Sequence, residues 1–126
     1  EEDIHTFYQI GYNLGMEFQI QDDILDMSRD SKKLGKPAGS DLAHGIMTLP
    51  TILVLQKEFA EKEELIGYIE KRFSGGQKEV ERAIAIIISQ GGLQEAAIYG
   101  EGYLAQATAY IEQLPDDKLK KQLKPK

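Results

Sequence analysis

Apolar residues follow a helical period from the start of the chain. Ile4, Phe7, Tyr8, Ile10, Leu14, Phe18 and Leu25 predict one long helix over residues 3–30. A polar stripe interrupts it. At about 100° per residue, Gln19, Asp22, Asp23, Asp26 and Asp30 fall within an arc of roughly 100°. Met16, Ile20, Ile24 and Met27 flank the stripe, and Leu14, Phe18 and Leu25 cover the back. A helix that is apolar on nearly every other side is expected inside a bundle. Gly11 and Gly15 each cost about 1 kcal/mol relative to alanine there. Close helix–helix contact is the plainer explanation; Gly15, at the edge of the stripe, also reads as room for a substrate.

Residues 31–40, SKKLGKPAGS, read as a loop, with Pro37 biasing Lys36 toward extended backbone. Ser40 or Asp41 is expected to cap a second helix running to about Lys57. Pro50 lies inside its apolar TLPTILVL run and should kink that helix or end its first part. Thr48 is placed to satisfy backbone groups there. Further helices are predicted over 60–73, 77–90, 93–113 and 116–123, separated by glycine turns at 74–76 and 91–92. The β-branched run AIAIIIS allows a strand, but Val80, Ala83, Ile84, Ile87 and Ile88 keep the 3.6 period and no second strand exists to pair with it. Leu119 and Leu123 are expected to be exposed unless something covers them. Helix after helix joined by short turns makes the fold class all-α, an antiparallel helical bundle.

Composition narrows the function. The chain has 126 residues, 41 % hydrophobic and 29 % charged, enough for one modest domain with a core. Its net charge of −6 and pI near 4.9 argue against non-specific nucleic-acid binding. Without cysteine there is no disulfide framework and no thiolate metal site, which is compatible with a cytoplasmic location. No apolar run is long enough for a transmembrane segment, and no signal peptide is visible. The first residues already read as helix interior, without an initiator Met, so the chain is expected to begin inside a larger protein.

Three or more carboxylates on an otherwise apolar helix cannot be buried without partners, so a cation is expected to face them. Acids without nearby Cys or His favour a hard, oxygen-loving ion, and Mg²⁺ keeps waters and binds substrate phosphates. Lys32, Lys33 and Lys36 follow the stripe directly. Lysines at a helix end are often only solvated. Lys36, held by GKP in a short stiff loop, is placed to aim its ammonium back at the metal and its anion. His44 reads as structural rather than as a ligand.

FQIQDDILD followed by LGKPAGSDL and then TLP resembles the second half of the trans-isoprenyl diphosphate synthases, the polyprenyl synthetase family. A lone DDxxD is weak; the ordered set is strong. The resemblance implies the isoprenoid synthase fold, with residues 1–126 as the C-terminal portion of a single polyprenyl synthetase domain. It also implies a reaction: an allylic diphosphate ionises with Mg²⁺ bound, and isopentenyl diphosphate attacks the cation. The positions matching the motifs carry implied roles. Asp22 contacts Mg²⁺ directly, Asp23 and Asp26 hold its waters or orient neighbours, and Asp41 adds a contact to metal-bound water. Lys36 grips the allylic diphosphate, the Gln19 amide oxygen faces the developing cation, and Phe18 lines the isopentenyl pocket. Intact members are usually dimers, and some pair with an unlike subunit.

The family's first aspartate-rich motif and the basic residues that clamp isopentenyl diphosphate are missing from this stretch. The 126 residues alone are therefore expected to be inactive. Ile46 stands where short-chain members often carry Lys. That leans the reading toward a medium- or long-chain enzyme for isoprenoid quinones, such as a bacterial heptaprenyl diphosphate synthase, over a farnesyl or geranylgeranyl one. The rival readings are a non-catalytic helical subunit and a scaffold whose acidic stripe binds metal or faces water.

Overall fold

In a computed structural model, residues 2–28, 38–115 and 117–123 are described, the side chains of Glu2 and of 117–119 excepted. The described residues form helices and turns, with no strand among them. The helices are α1 (Glu2–Ser28), α2 (Ser40–Ala43), α3 (Leu49–Leu55), α4 (Lys62–Glu70), α5 (Gln77–Ser89), α6 (Gly92–Glu112) and α7 (Asp117–Leu123). The chain divides into two compact units, residues 1–21 with 98–126, and residues 22–97.

The first unit is built on Ile10, Ile111 and Leu114, with Leu14, Tyr110 and Leu123 packed against them. Leu123 is thus half-buried, covered from within the chain. Gly100 lies close to α1: a Cβ there would stand 3.5 Å from Ile20 Cγ2. Gly11 and Gly15 have nothing within 4 Å, so the expected helix contact at these glycines is not made in this chain.

The second unit is organised around α5, against which α2, α3 and α4 all pack. Val80, Ala83, Ile84, Ile86 and Ile87 are buried, so the β-branched run is a helix whose apolar face the surrounding helices cover. Arg82 Nε donates to Glu64 at 2.8 Å and ties α5 to α4. The Arg82 guanidinium, with the Tyr68 hydroxyl, holds the Glu64 carboxyl down to about 2. Lys57 pairs with Glu95 at 2.5 Å and donates to the Gln90 carbonyl, the last acceptor of α5, at 2.7 Å.

The helix expected from Ser40 to about Lys57 is two helices. Gly45, at φ 80°, ends the first after one turn. Pro50 then falls in the opening turn of α3, where its missing N–H costs nothing. His44 closes α2 and its Nδ1–H donates back to the Ser40 carbonyl at 2.7 Å, a structural role. Thr48 flanks α3 with extended backbone but makes no side-chain cap, and its hydroxyl oxygen, like that of Thr51, has no partner among the described residues. The helix expected over 60–73 ends at Glu70. Arg72 and Phe73 then both take φ 54°, held by buried Phe73 and by its N–H donating to the Tyr68 carbonyl at 2.9 Å.

Candidate functional site

The acidic stripe splits in two. Asp22 is exposed, whereas Asp23 and Asp26 are each only 7 % exposed. Phe18 and Leu25, expected to cover the back of α1, are 68 % and 58 % exposed, because no neighbour within the chain covers them. Gln19 and Phe18 belong to the first unit, and Asp22, Asp23, Asp26 and Asp41 to the second. Lys36 lies outside the described residues, as do Asp30, Lys32, Lys33, Gly35 and Pro37. Among the described residues, no three acidic, imidazole or thiol side chains form a metal-holding group.

What the structure does bring together is the third aspartate of the stripe and the GSD turn. Gly39 N–H donates to the Asp26 backbone carbonyl at 3.1 Å, and Asp41 N–H reaches the Asp26 carboxylate at 3.4 Å. Asp41 stands in the first turn of α2, whose leading N–H groups lack intrahelical partners. The cap was expected from Ser40 or Asp41 themselves. Instead Gly39 occupies the capping position at φ 75° without a side chain, and the acid comes from α1. An acid at a helix N-terminus satisfies an orphan donor and favours the local dipole.

The turn is seated from the other side by α5. Gln77 Nε2 donates to the Ala38 carbonyl at 3.1 Å. Gly39 lies against Val80 and Ile84 so closely that a Cβ would stand 2.8 and 2.6 Å from their side chains. Leu42, fully buried, anchors α2 in the same core. Gln77, Val80 and Ile84 thus position the turn, and sequence reading missed them. They lie some forty residues from Gly39, and no local spacing signals the contact.

Asp26 and Asp41 are thus joined within the second unit, with Asp22 presented to solvent on the same helix as Asp26. Exposed, Asp22 is free to take a hydrated hard cation, and its oxygens suit Mg²⁺ or Ca²⁺ rather than a soft metal. A cavity of about 470 Å³ lies beside α2, lined by Ala43, His44, Gly45, Met47, Ile69 and Arg72. Among the described residues, none of the predicted site residues lines it. Ile46 is exposed.

Solved prenyl synthases share this fold. The chain superposes on heptaprenyl diphosphate synthase from Staphylococcus aureus with a TM-score of 0.83 at 38 % identity, covering 98 % of this chain and 38 % of that one. A polyprenyl synthase from Caulobacter crescentus, solved in complex with calcium and isoprenyl diphosphate, matches with a TM-score of 0.80 at 28 % identity, over 95 % and 37 % of the two chains. Chloroplastic solanesyl diphosphate synthase 1 of Arabidopsis thaliana is 44 % identical over 89 residues, which are 71 % of this chain and 21 % of that protein. The sequence model of the polyprenyl synthetase family matches residues 1–87, and the chain belongs to that family. It spans about a fifth of the solanesyl enzyme's length and under two fifths of the two solved chains.

Proposed function

We propose that this chain supplies the second aspartate-rich part of a trans-prenyltransferase site, one that condenses an allylic diphosphate with isopentenyl diphosphate and releases diphosphate. The observation that carries the reading is the tie between Asp26 and the Gly39–Asp41 turn, which joins DDxxD to GSD within a chain of this family. The similarity to a heptaprenyl synthase and a solanesyl synthase, together with Ile46, supports a medium- or long-chain product of the kind used in isoprenoid quinones. The neighbour solved with calcium and isoprenyl diphosphate supports a divalent ion, which we take to be Mg²⁺.

Bound Mg²⁺ would supply Lewis-acid stabilisation of the departing diphosphate. Around it, each residue has a distinct task. Asp22 offers the accessible carboxylate that holds the ion. Asp23 and Asp26 fix the helix and the turn behind it, and Asp41 orients metal-bound water. The Lys36 ammonium neutralises diphosphate charge. Gln19 turns its amide oxygen toward positive charge, and Phe18 offers an apolar wall for isopentenyl diphosphate. A cytoplasmic enzyme working as a homodimer or with an unlike subunit completes the reading.

Calorimetric titration of the 126-residue chain with inorganic pyrophosphate, with and without Mg²⁺, tests it. Binding should require Mg²⁺, vanish in Asp22→Ala and weaken at least tenfold in Lys36→Ala. Metal-independent binding, or none, would leave a non-catalytic helical subunit or scaffold as the better description. Purified alone, the chain should show no prenyl transfer, since only one aspartate-rich motif is present.

A further inference from the structure

The cavity beside α2 lies within the second unit, and its lining has a chemistry of its own. Ala43, His44, Gly45 and Met47 come from the end of α2 and the segment after it. Ile69 and Arg72 come from the end of α4 and the turn that follows. Met47 and Ile69 are partly buried and pack on the core, so part of the wall is apolar. Ile46 falls between two lining residues and does not line the cavity. None of the described lining residues is acidic.

Arg72 stands out in a chain of net charge −6. Arg82, the other described arginine, is taken by Glu64. Arg72 makes no ion pair and no side-chain hydrogen bond among the described residues. Its backbone, at φ 54° just past the end of α4, has a conformation for which glycine is the usual choice. Burial holds Phe73 in the same conformation, but Arg72 is exposed and gains nothing from burial. Backbone outliers of this kind gather at ligand clamps.

His44 supplies the second polar group. Its Nδ1–H is taken by the Ser40 carbonyl, which leaves Nε2 of the neutral ring as an acceptor. A ligand that suits the cavity therefore brings negative charge for the guanidinium, a proton for Nε2 and apolar surface for Ala43, Met47 and Ile69. A carboxylate has no proton to give near neutral pH. A phosphate monoester does, since its second dissociation falls near about pH 6, and its oxygens match the guanidinium fork. Inorganic phosphate alone would leave most of a 470 Å³ cavity unused.

We propose that this cavity binds a small organic phosphate monoester, with the phosphate held between Arg72 and His44 and the apolar body against Ala43, Met47 and Ile69. The site calls on no metal ion and on none of the aspartates, so it does not rest on the prenyl-transfer reading.

Monobutyl phosphate is the probe. It is titrated calorimetrically into the 126-residue chain at about pH 6.5, in EDTA and without Mg²⁺. The expected Kd is below about 1 mM, and about tenfold or more tighter than for inorganic phosphate or pentanoate. Amide NMR should find the largest shifts over residues 43–47 and 69–72. Arg72→Gly separates the side chain from the fold. Glycine accepts φ 54° freely, so this variant should melt no lower than the parent while losing about tenfold or more in affinity. Lys71→Gln alters an exposed neighbouring charge outside the described lining, and affinity should stay within about twofold.

No binding at about 10 mM probe would overturn the proposal, as would amide shifts centred elsewhere. Equal affinity for inorganic phosphate or for pentanoate would remove the phosphate monoester as the ligand, and the proposal would fall. So would an Arg72→Gly chain that binds as tightly as the parent, or one that melts lower, which would make Arg72 a part of the fold instead. With EDTA present throughout, this site can fail while Mg²⁺-dependent pyrophosphate binding at Asp22 stands, and the reverse.

Discussion

Gly39→Ala should be among the most damaging single substitutions in the second unit, and Gly45 provides its internal control. Both glycines have left-handed backbone, φ 75° and 80°. An L-residue in that region costs about 1–2 kcal/mol at either site. The surroundings differ. A Cβ at Gly39 would stand 2.6 Å from Ile84 Cδ1 and 2.8 Å from Val80 Cγ1, whereas at Gly45 it would meet nothing within 4 Å. Val80 and Ile84 are buried, so neither has open space to swing into. Forced overpacking of this kind adds about 1–3 kcal/mol. The losses should therefore be about 3 kcal/mol for Gly39→Ala and about 1 kcal/mol for Gly45→Ala. Thermal midpoints for a chain of this size should then fall by roughly 12 °C and 4 °C. Urea unfolding followed by circular dichroism reads the same difference at constant temperature. If the two variants lose the same stability, the close seating of Gly39 on α5 is wrong, and with it the account of how the turn is held.

The same comparison of packed and open glycines applies in helices. Gly92→Ala, where a Cβ would stand 2.8 Å from Ile87 and Val54 side chains and 3.0 Å from the Pro50 carbonyl oxygen, should destabilise by about 2 kcal/mol. Gly15→Ala, in open space on α1, should instead stabilise the chain by about 1 kcal/mol in the same unfolding assay. Thr51→Val removes a fully buried hydroxyl that has no hydrogen-bond partner among the described residues, and should raise stability by about 1 kcal/mol; a loss would reveal a partner for that oxygen. Glu64, held down to about 2 from an ordinary 4.5, contributes stability that is fully present above pH 4.5 and fades as pH falls toward 2. Carboxyl NMR titration should find its midpoint far below that of a free glutamate and moved back up in Arg82→Ala; a shared midpoint near 4.5 would remove the Arg82 explanation.

The long helices were legible because periodicity states them many times over. α5 keeps its 3.6 spacing through a run of isoleucines, and the structure buries Val80, Ala83, Ile84 and Ile87 as that spacing selects, but it exposes Ile88 and buries Ile86 instead. The break between α2 and α3 was not legible. Gly45 sits in a mainly apolar stretch, and Pro50 reads equally as a kink or as a first-turn residue until the backbone is seen. Arg72 and Phe73 were invisible for another reason: left-handed backbone normally announces itself with glycine, and here burial of Phe73 holds the conformation instead. Phe18 and Leu25 were expected to be covered and are not, because a pattern records which side chains avoid water and not whether a neighbour is present. For the candidate site, the order of motifs was readable, but the bond between Asp26 and Asp41 was not. It joins residues fifteen apart, and no local spacing signals the contact.

That bond changes how the acidic motif is understood. The second unit treats the three carboxylates unequally. It withdraws Asp23 and Asp26 from solvent, a costly burial of charge that for Asp26 is offset by a backbone donor at a helix start, and leaves Asp22 exposed. Mg²⁺ demands near-octahedral geometry and gives up its waters reluctantly, so one accessible carboxylate on a rigid helix suits it better than three converging ones. The proposed division of labour follows: Asp22 offers the charge, and Asp26 with Gly39 holds the α2 turn at a fixed place behind it. The spacing DDxxD is then as much a requirement of the turn as of the metal. On that proposal Asp22 and Asp26, one helical turn apart, would serve different partners, Asp22 the ion and Asp26 the Asp41 N–H.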